Sequence, residues 1–169
     1  MTRHQPPRFG PWTRSDIARA PGRGFQKTLG LKLTAVSRKR LAAVLKVRPS
    51  HTNSVGMVHG GVLMGLGDSL GGLGALQNLA PGDSTATLES KTNFLRSAQG
   101  PTLYAHCRAL HIGSRTSVWQ TAIQDERKRI VAIVTQTQLH FTPEITGAKG
   151  QNGIPRKPRR IIASPVIDS

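Results

Sequence analysis

A single stretch, Asn53–Ala75, limits what this chain can fold into, because it is apolar, rich in glycine and interrupted by one carboxylate, Asp68. Apolar residues recur along it at the three- and four-residue intervals that place side chains on one face of a helix. We therefore predict a loop followed by a helix that begins near Gly60 or Gly61. The apolar stripe consists of Val62, Leu63, Leu66, Leu70, Leu73 and Leu76.

The predicted helix contains five glycines between Gly65 and Gly74, and each costs about 1 kcal/mol relative to alanine in a helix interior. Some of them share a face with Asp68, where another backbone or a thin ligand can approach the helix closely. A lone acid in such a groove is a candidate for chemistry. The alternative is a helix packed tightly under a sheet, with Asp68 solvated at an edge. The face with few side chains consists of Gly61, Gly65, Asp68, Gly72 and Ala75.

The 169 residues carry a formal net charge of +16 and one cysteine, Cys107. This length predicts one domain, and a lone cysteine excludes an internal disulfide framework or a cysteine-based zinc site. A reducing, cytoplasmic location fits, and no apolar run is clean enough to span a membrane. The Arg-rich N-terminus leaves an organelle transit peptide open, although its prolines disfavour the required helix. The charge predicts polyanionic partners: nucleic acid, membrane headgroups or a phosphate-bearing cofactor such as coenzyme A.

The chain divides into an irregular basic arm at 1–28, a folded domain at 29–143 and a basic tail at 144–169. A short helix is expected in the arm near Ser15–Ala20, capped by Ser15, and the tail is expected to be flexible. Alternation and turn signals predict two strands before the long helix and four after it, which indicates an α+β domain with an antiparallel sheet. The predicted strands are Leu31–Val36, Leu41–Val47, Ser84–Leu95, Thr102–His111, Arg115–Gln124 and Arg129–Phe141.

Four motifs stand out within the predicted domain. They are Asn53-x-x-Gly56-x-x-His59-Gly60-Gly61, an acid eight residues after Gly60, Asn93-Phe94-Leu95-Arg96 and a Gly113-x-Arg115 turn. Together they resemble the hotdog-fold acyl-CoA thioesterases, with the phenylacetate-pathway (PaaI-type) branch as the nearest subgroup. The likeness covers Leu31 to Phe141, and the combination is more specific than His-Gly-Gly alone.

The resemblance implies an α+β hotdog fold, in which a curved antiparallel β-sheet wraps around one long central helix. It implies a thioesterase that hydrolyses an acyl-CoA to free acid and coenzyme A. Coenzyme A is then part of the substrate, and no separate cofactor is expected; the histidines show no metal-ligand spacing, so no metal is expected either. A homodimer or a tetramer (a dimer of dimers) is implied, with joined sheets and active sites between protomers.

The resemblance also assigns the central chemistry. In this family the backbone N–H at the Gly60 position, aided by the helix dipole, polarises the thioester carbonyl and stabilises the oxyanion. Asp68 matches the catalytic carboxylate, which acts as a general base on water or as a nucleophile that forms an anhydride; both roles stay open. Eight residues of helix separate the two groups by about 12 Å, and in the family the carboxylate comes from the partner chain.

Other matched positions have simpler alternatives. Asn53 helps to place the water or the thioester in the family, but it could instead cap local backbone. His59 is a further candidate catalytic residue, with a structural role in holding the loop as its alternative. Thr87 falls near a hydroxyl that some relatives place beside the catalytic water. Guanidinium groups suit phosphates, although a surface arginine often has no specific role. The expected coenzyme A contacts are Gly61, Arg96, Gly113, Ser114 and Arg115.

Three rival interpretations change the function. Gly67-Asp68-Ser69-Leu70 matches the signature of the GDSL lipases, with Ser69 as nucleophile; we reject it because the motif lies inside a helix and no histidine has an Asp three residues before it. A hotdog dehydratase ranks lower, since its histidine lies in a different loop pattern. A non-catalytic acyl-CoA-binding or nucleic-acid-binding hotdog protein stays open, because the basic arms could contact nucleic acid. Asp68 disfavours pure binding.

Overall fold

The computed structural model describes residues 12–143, in which six strands and three α-helices form. The helices are α1 (Arg14–Arg19), α2 (Gly24–Leu29) and α3 (Gly60–Leu76), and the strands are β1 (Leu31–Val36), β2 (Arg40–Lys46), β3 (Ser84–Phe94), β4 (Thr102–Ile112), β5 (Thr116–Gln124) and β6 (Ile130–Phe141). The sheet is antiparallel throughout, in the order β1-β2-β4-β5-β6-β3. No strand bound differs by more than one residue from the sequence prediction.

Helix α3 begins at Gly60, as predicted, and contacts the five strands β2 to β6. Five strands spaced about 4.8 Å apart are wider than a helix of about 10 Å, so the sheet must curve around α3 to reach it. The predicted curved antiparallel sheet around a central helix is therefore confirmed. Among the helices of residues 12–143, none is long and apolar enough to cross a membrane.

Three glycines of α3 lie on the face that packs against the sheet. A Cβ atom at Gly67 would lie 2.5 Å from Val134, and one at Gly74 would lie 2.7 Å from the ring of Trp119. Gly71 is in the same situation above Gln136. The close packing of helix and sheet offsets the loss of helix propensity at these three glycines. For them, tight packing under a sheet, which was the alternative to an open groove, is correct.

Alanine substitutions at Gly74 and Gly72 are expected to change stability in opposite directions. Trp119 is fully buried and cannot move aside, so in G74A an overpacking cost of about 1–3 kcal/mol exceeds the gain in helix propensity of about 1 kcal/mol. A Cβ at Gly72 meets nothing within 4 Å, so G72A should gain up to about 1 kcal/mol. Urea unfolding of both variants measures the difference, and stabilisation by G74A would contradict the packing account.

The short helix predicted near Ser15–Ala20 forms as α1, whereas α2, at the end of the predicted irregular arm, was not predicted. Thr13, rather than the predicted Ser15, caps α1: the Asp16 N–H donates to Thr13 Oγ1 over 3.1 Å, and the Thr13 N–H donates to Asp16 Oδ2 over 3.0 Å. This reciprocal capping box stabilises the first turn, and Ile17 is fully buried beneath it. Residues 1–11 and the predicted tail at 144–169 lie outside the described residues.

Candidate active site

Asp68 is half-buried near the middle of α3 and faces the first part of β3. The hydroxyl of Thr87 on β3 donates to Asp68 Oδ1 over 3.0 Å. A β-bulge lies between Thr87 and Glu89, so the extra residue, Leu88, turns Thr87 toward the helix. The structure thus brings together Asp68 and Thr87, two of the candidate site residues predicted from the sequence.

Two buried glutamines of β6 hold this pair in place. The Nε2 of Gln138 donates to Thr87 Oγ1 over 2.8 Å, so the single hydroxyl proton of Thr87 is directed to Asp68. The Nε2 of Gln136 donates to the backbone oxygen of Asp68 over 3.1 Å. Both glutamines are 1% exposed. These glutamines were not predicted from the sequence. They follow Val134 at two-residue intervals, and because alternate residues of a strand lie on the same face, this spacing places both side chains on the core face.

A cavity of about 290 Å³ opens beside Asp68. It follows α3 toward its C-terminal end, where Gly72 offers no side chain, and it extends under the first residues of β3. The predicted groove is therefore open at Gly72, whereas Ala75 on the same predicted face is fully buried. The cavity is lined by Trp12, Gln26, Asp68, Ser69, Gly72, Leu73, Leu76, Ser84, Thr85, Thr87 and Gln138.

The N-terminus of α3 is capped by His59, whose Nδ1 accepts from the Gly61 N–H over 2.9 Å. This hydrogen bond is the structural role that was the alternative for His59, and the catalytic role of His59 stays a prediction. Within residues 12–143, no group accepts the N–H of Gly60. The ring of Phe94 lies against Gly60, at 3.1 Å from where a Cβ would be. An exposed helix N-terminus with an available N–H is suited to stabilising negative charge.

Asn53 lies in the loop before α3, and its Oδ1 accepts from two backbone amides of that loop. The donors are the N–H groups of Val55, at 3.1 Å, and Met57, at 3.0 Å. This geometry is the local capping role that was the alternative for Asn53. Asn53 therefore shapes the entry to the helix that carries Gly60.

Gly60 and Asp68 are not brought together within one chain. Gly60 contacts Phe94 at the end of β3, whereas Asp68 contacts Thr87 near its beginning. Eight residues of α-helix separate them by about 12 Å along the axis. One chain alone does not place the N–H donor and the carboxylate on a single carbonyl group.

The turn of Gly113, Ser114 and Arg115 connects β4 to β5. The backbone oxygen of Arg115 accepts from the His140 N–H over 2.8 Å, and His140 pairs with Thr85 of β3. This turn thus lies at the same end of the sheet as the cavity. Arg96 lies at the opposite end of β3, beside Val131, so the structure separates the two predicted arginines.

A carboxyl with a lowered pKa, that of Asp125, lies outside this site. Asp125 is fully buried at the β5–β6 turn, where the guanidinium of Arg129 donates to its Oδ2 over 2.7 Å. This hydrogen bond, with backbone donors including the Gln99 N–H, lowers the pKa of Asp125 to about 2. Asp125 ties the hairpin together and does not line the cavity. No group of three metal-binding side chains forms within the described part of the chain.

Comparison with known proteins identifies the family. Residues 55–132 match the model of the thioesterase superfamily. A 1,4-dihydroxy-2-naphthoyl-CoA hydrolase of Listeria monocytogenes is 31% identical over 110 residues, which cover 65% of this chain and 89% of the relative.

Two solved structures share the architecture. A thioesterase from Haemophilus influenzae superposes with a TM-score of 0.71 at 21% identity, over 78% of this chain and 92% of the other. The PaaI protein of Escherichia coli superposes with a TM-score of 0.62 at 22% identity, over 68% of this chain and 82% of the other. At these identities the structures establish the fold alone, and the PaaI-type branch stays a prediction. The chain belongs to the thioesterase superfamily and has its hotdog fold.

Proposed function

We propose that this protein is an acyl-CoA thioesterase that hydrolyses a CoA thioester to free acid and coenzyme A. The observation that carries the proposal is the chain of hydrogen bonds from Gln138 through Thr87 to Asp68 at the mouth of the cavity. Membership of the thioesterase superfamily supports it, as does the relative named a 1,4-dihydroxy-2-naphthoyl-CoA hydrolase. That name favours an aromatic acyl group.

In the proposed mechanism the thioester carbonyl accepts the Gly60 N–H, which stabilises the oxyanion as the carbon becomes tetrahedral. Asp68 either removes a proton from the attacking water or itself attacks the carbon to give an anhydride that water then hydrolyses. In both cases the C–S bond breaks. In the general-base route the departing sulfur takes the proton that Asp68 removed from water; in the anhydride route it leaves as the thiolate, and the water that hydrolyses the anhydride releases the proton that balances the thiol. Thr87 orients the carboxylate by donating to one of its oxygens.

The mechanism requires a second protomer, and the free edge of β3 offers a way to add one. β3 is an edge strand, and an unpaired edge is a template for another strand. It carries exposed apolar side chains, including Leu88 at 58% and Phe94 at 54% exposure. Antiparallel pairing of two β3 edges about an axis between Ser90 and Lys91 would set Thr87 opposite Phe94 of the partner subunit. The carboxylate of one protomer would then approach the Gly60 N–H of the other.

This pairing is the proposed homodimer, and a tetramer would be a dimer of such dimers. Coenzyme A, in this proposal, lies with its phosphates near the turn of Gly113, Ser114 and Arg115. That turn is exposed at Arg115 and shares an end of the sheet with the cavity. The net charge of +16 favours association with such a polyanion.

We expect the protein to release free thiol from a panel of acyl-CoA esters, with aromatic esters preferred over short and long straight chains. For at least one ester we expect a kcat/KM of about 10⁴ M⁻¹s⁻¹ or more, which is within the range of natural enzymes. The assay follows the released thiol with a chromogenic disulfide, and esters without protein give the background. Tight binding of an acyl-CoA or of nucleic acid without any turnover would contradict this proposal and support the alternative of a non-catalytic binding protein.

A further inference from the structure

The first half of the open face of α3 is covered by α2. The ring of Phe25 lies so close to Gly65 that a Cβ there would be 2.7 Å from the ring. Seven residues further along α3, the space above Gly72 is empty. The cavity beside Asp68 includes Gly72 but neither Phe25 nor Gly65, and α2 contributes Gln26 to its lining.

Helix α2 is firmly attached to the domain. Leu29 at its end is 4% exposed, and Gly30 closes the helix in the left-handed conformation with a φ of 75°. The guanidinium of Arg48 donates to the backbone oxygen of Thr28. A helix held in this way keeps one position relative to α3, so the backbone positions that face the cavity are fixed.

Gln26 is the polar side chain that α2 presents to the cavity. It is half-buried and lines the same space as Asp68. Among the described residues, none forms a hydrogen bond with the Gln26 side chain, although its amide has two donor hydrogens and an acceptor oxygen. A half-buried amide that faces a cavity without a protein partner is available to a ligand.

We propose that Gln26 selects the acyl group by forming a hydrogen bond with a polar substituent, such as a ring hydroxyl, remote from the thioester carbon. The proposal rests on the proposed thioesterase function, because it assumes that the acyl group extends from Asp68 past Gly72. A cavity of about 150 Å³ binds benzene, so the observed 290 Å³ accommodates a substituted aromatic ring. Gln26 lies outside residues 55–132, which match the family model, so the family match assigns no role to it.

The test compares Gln26→Met with Lys27→Met. Methionine keeps the length of glutamine and its helix propensity but removes the amide; Lys27 is the exposed neighbour on the same helix. Substrates are benzoyl-CoA and its 2-, 3- and 4-hydroxy derivatives. For at least one hydroxy derivative we expect Gln26→Met to lower kcat/KM about tenfold, mainly through KM, with benzoyl-CoA and the Lys27 variant unaffected. Equal effects of Gln26→Met on all four esters, or none, would overturn the proposal.

Binding of the free acids separates this proposal from the proposed function. Calorimetry with benzoate and the three hydroxybenzoates needs no turnover, and Gln26→Met should weaken one hydroxybenzoate about tenfold while leaving benzoate unchanged. If the wild type hydrolyses no ester but this difference persists, the thioesterase proposal fails and Gln26 stands as a ligand-selecting residue. If hydrolysis is found without any difference in binding or KM, Gln26 has no such role. Gln26→Ala provides the same comparison if Gln26→Met does not fold.

Discussion

Asp68→Asn lowers kcat/KM for acyl-CoA hydrolysis by about 10²–10⁴-fold, the usual contribution of a positioned acid or base. Asparagine has the same shape, and its Oδ1 can still accept the hydrogen bond from Thr87 that Asp68 receives over 3.0 Å. It can neither take a proton from water nor form an anhydride. Thermal unfolding should therefore stay close to wild type while turnover collapses.

Glu89→Gln is the matched control for Asp68→Asn. Glu89 also lies on the β3 side of the domain and also accepts a threonine hydroxyl, that of Thr137, over 2.9 Å. It is exposed and does not line the cavity, so its loss should leave kcat/KM within a factor of about two. Unchanged activity of Asp68→Asn together with an inactive Ser69→Ala would instead indicate the serine nucleophile of a GDSL lipase.

Gly60→Pro lowers kcat by about 10²–10³-fold, which is the usual effect of removing one oxyanion donor. Proline is favoured at the first position of a helix, where its missing N–H breaks no intrahelical bond. The preceding residue must be extended, and His59 already has φ −67° and ψ 136°. The substitution therefore removes the proposed donor while keeping the helix start.

Gly60→Ala separates the loss of the N–H from the added bulk. It keeps the N–H and adds a Cβ 3.1 Å from the ring of Phe94, a side chain that is 54% exposed in the single chain. We expect it to retain most of the activity that Gly60→Pro loses, with a modest rise in KM. Equal losses in the two variants would mean that Gly60 serves close approach of the substrate rather than oxyanion stabilisation.

The fold was largely predictable because its signals are local. The apolar stripe of α3 and the turns that separate the strands depend on residues within a few positions of each other. The arm was less predictable, since a Thr13–Asp16 capping box competes with Ser15 two residues later. Only the structure shows that Ile17 is buried against the domain.

The site was predictable in part, because its contacts depend on strand register. Asp68 follows from its position within the helix, but its contact with Thr87 requires the bulge at Leu88, and no short-range pattern signals that bulge. Gln138 escaped notice because a glutamine in a strand is ordinarily read as solvent-facing. Gln26 lies more than forty residues before Asp68 in the sequence, and only the packing of α2 on α3 brings them to one cavity.

The three sheet-facing glycines decide the direction in which the Asp68 carboxylate points. Rotating α3 by one residue, about 100°, would press a side chain against Val134 or Trp119. The helix therefore has one permitted rotational setting, and Asp68 follows Gly67 about a quarter turn around the axis. The direction of the proposed catalytic carboxylate is thus set by core residues that do not line the cavity. If Asp68 is catalytic as proposed, substitutions in the core under α3 are expected to change the geometry of the active site even when the protein stays folded.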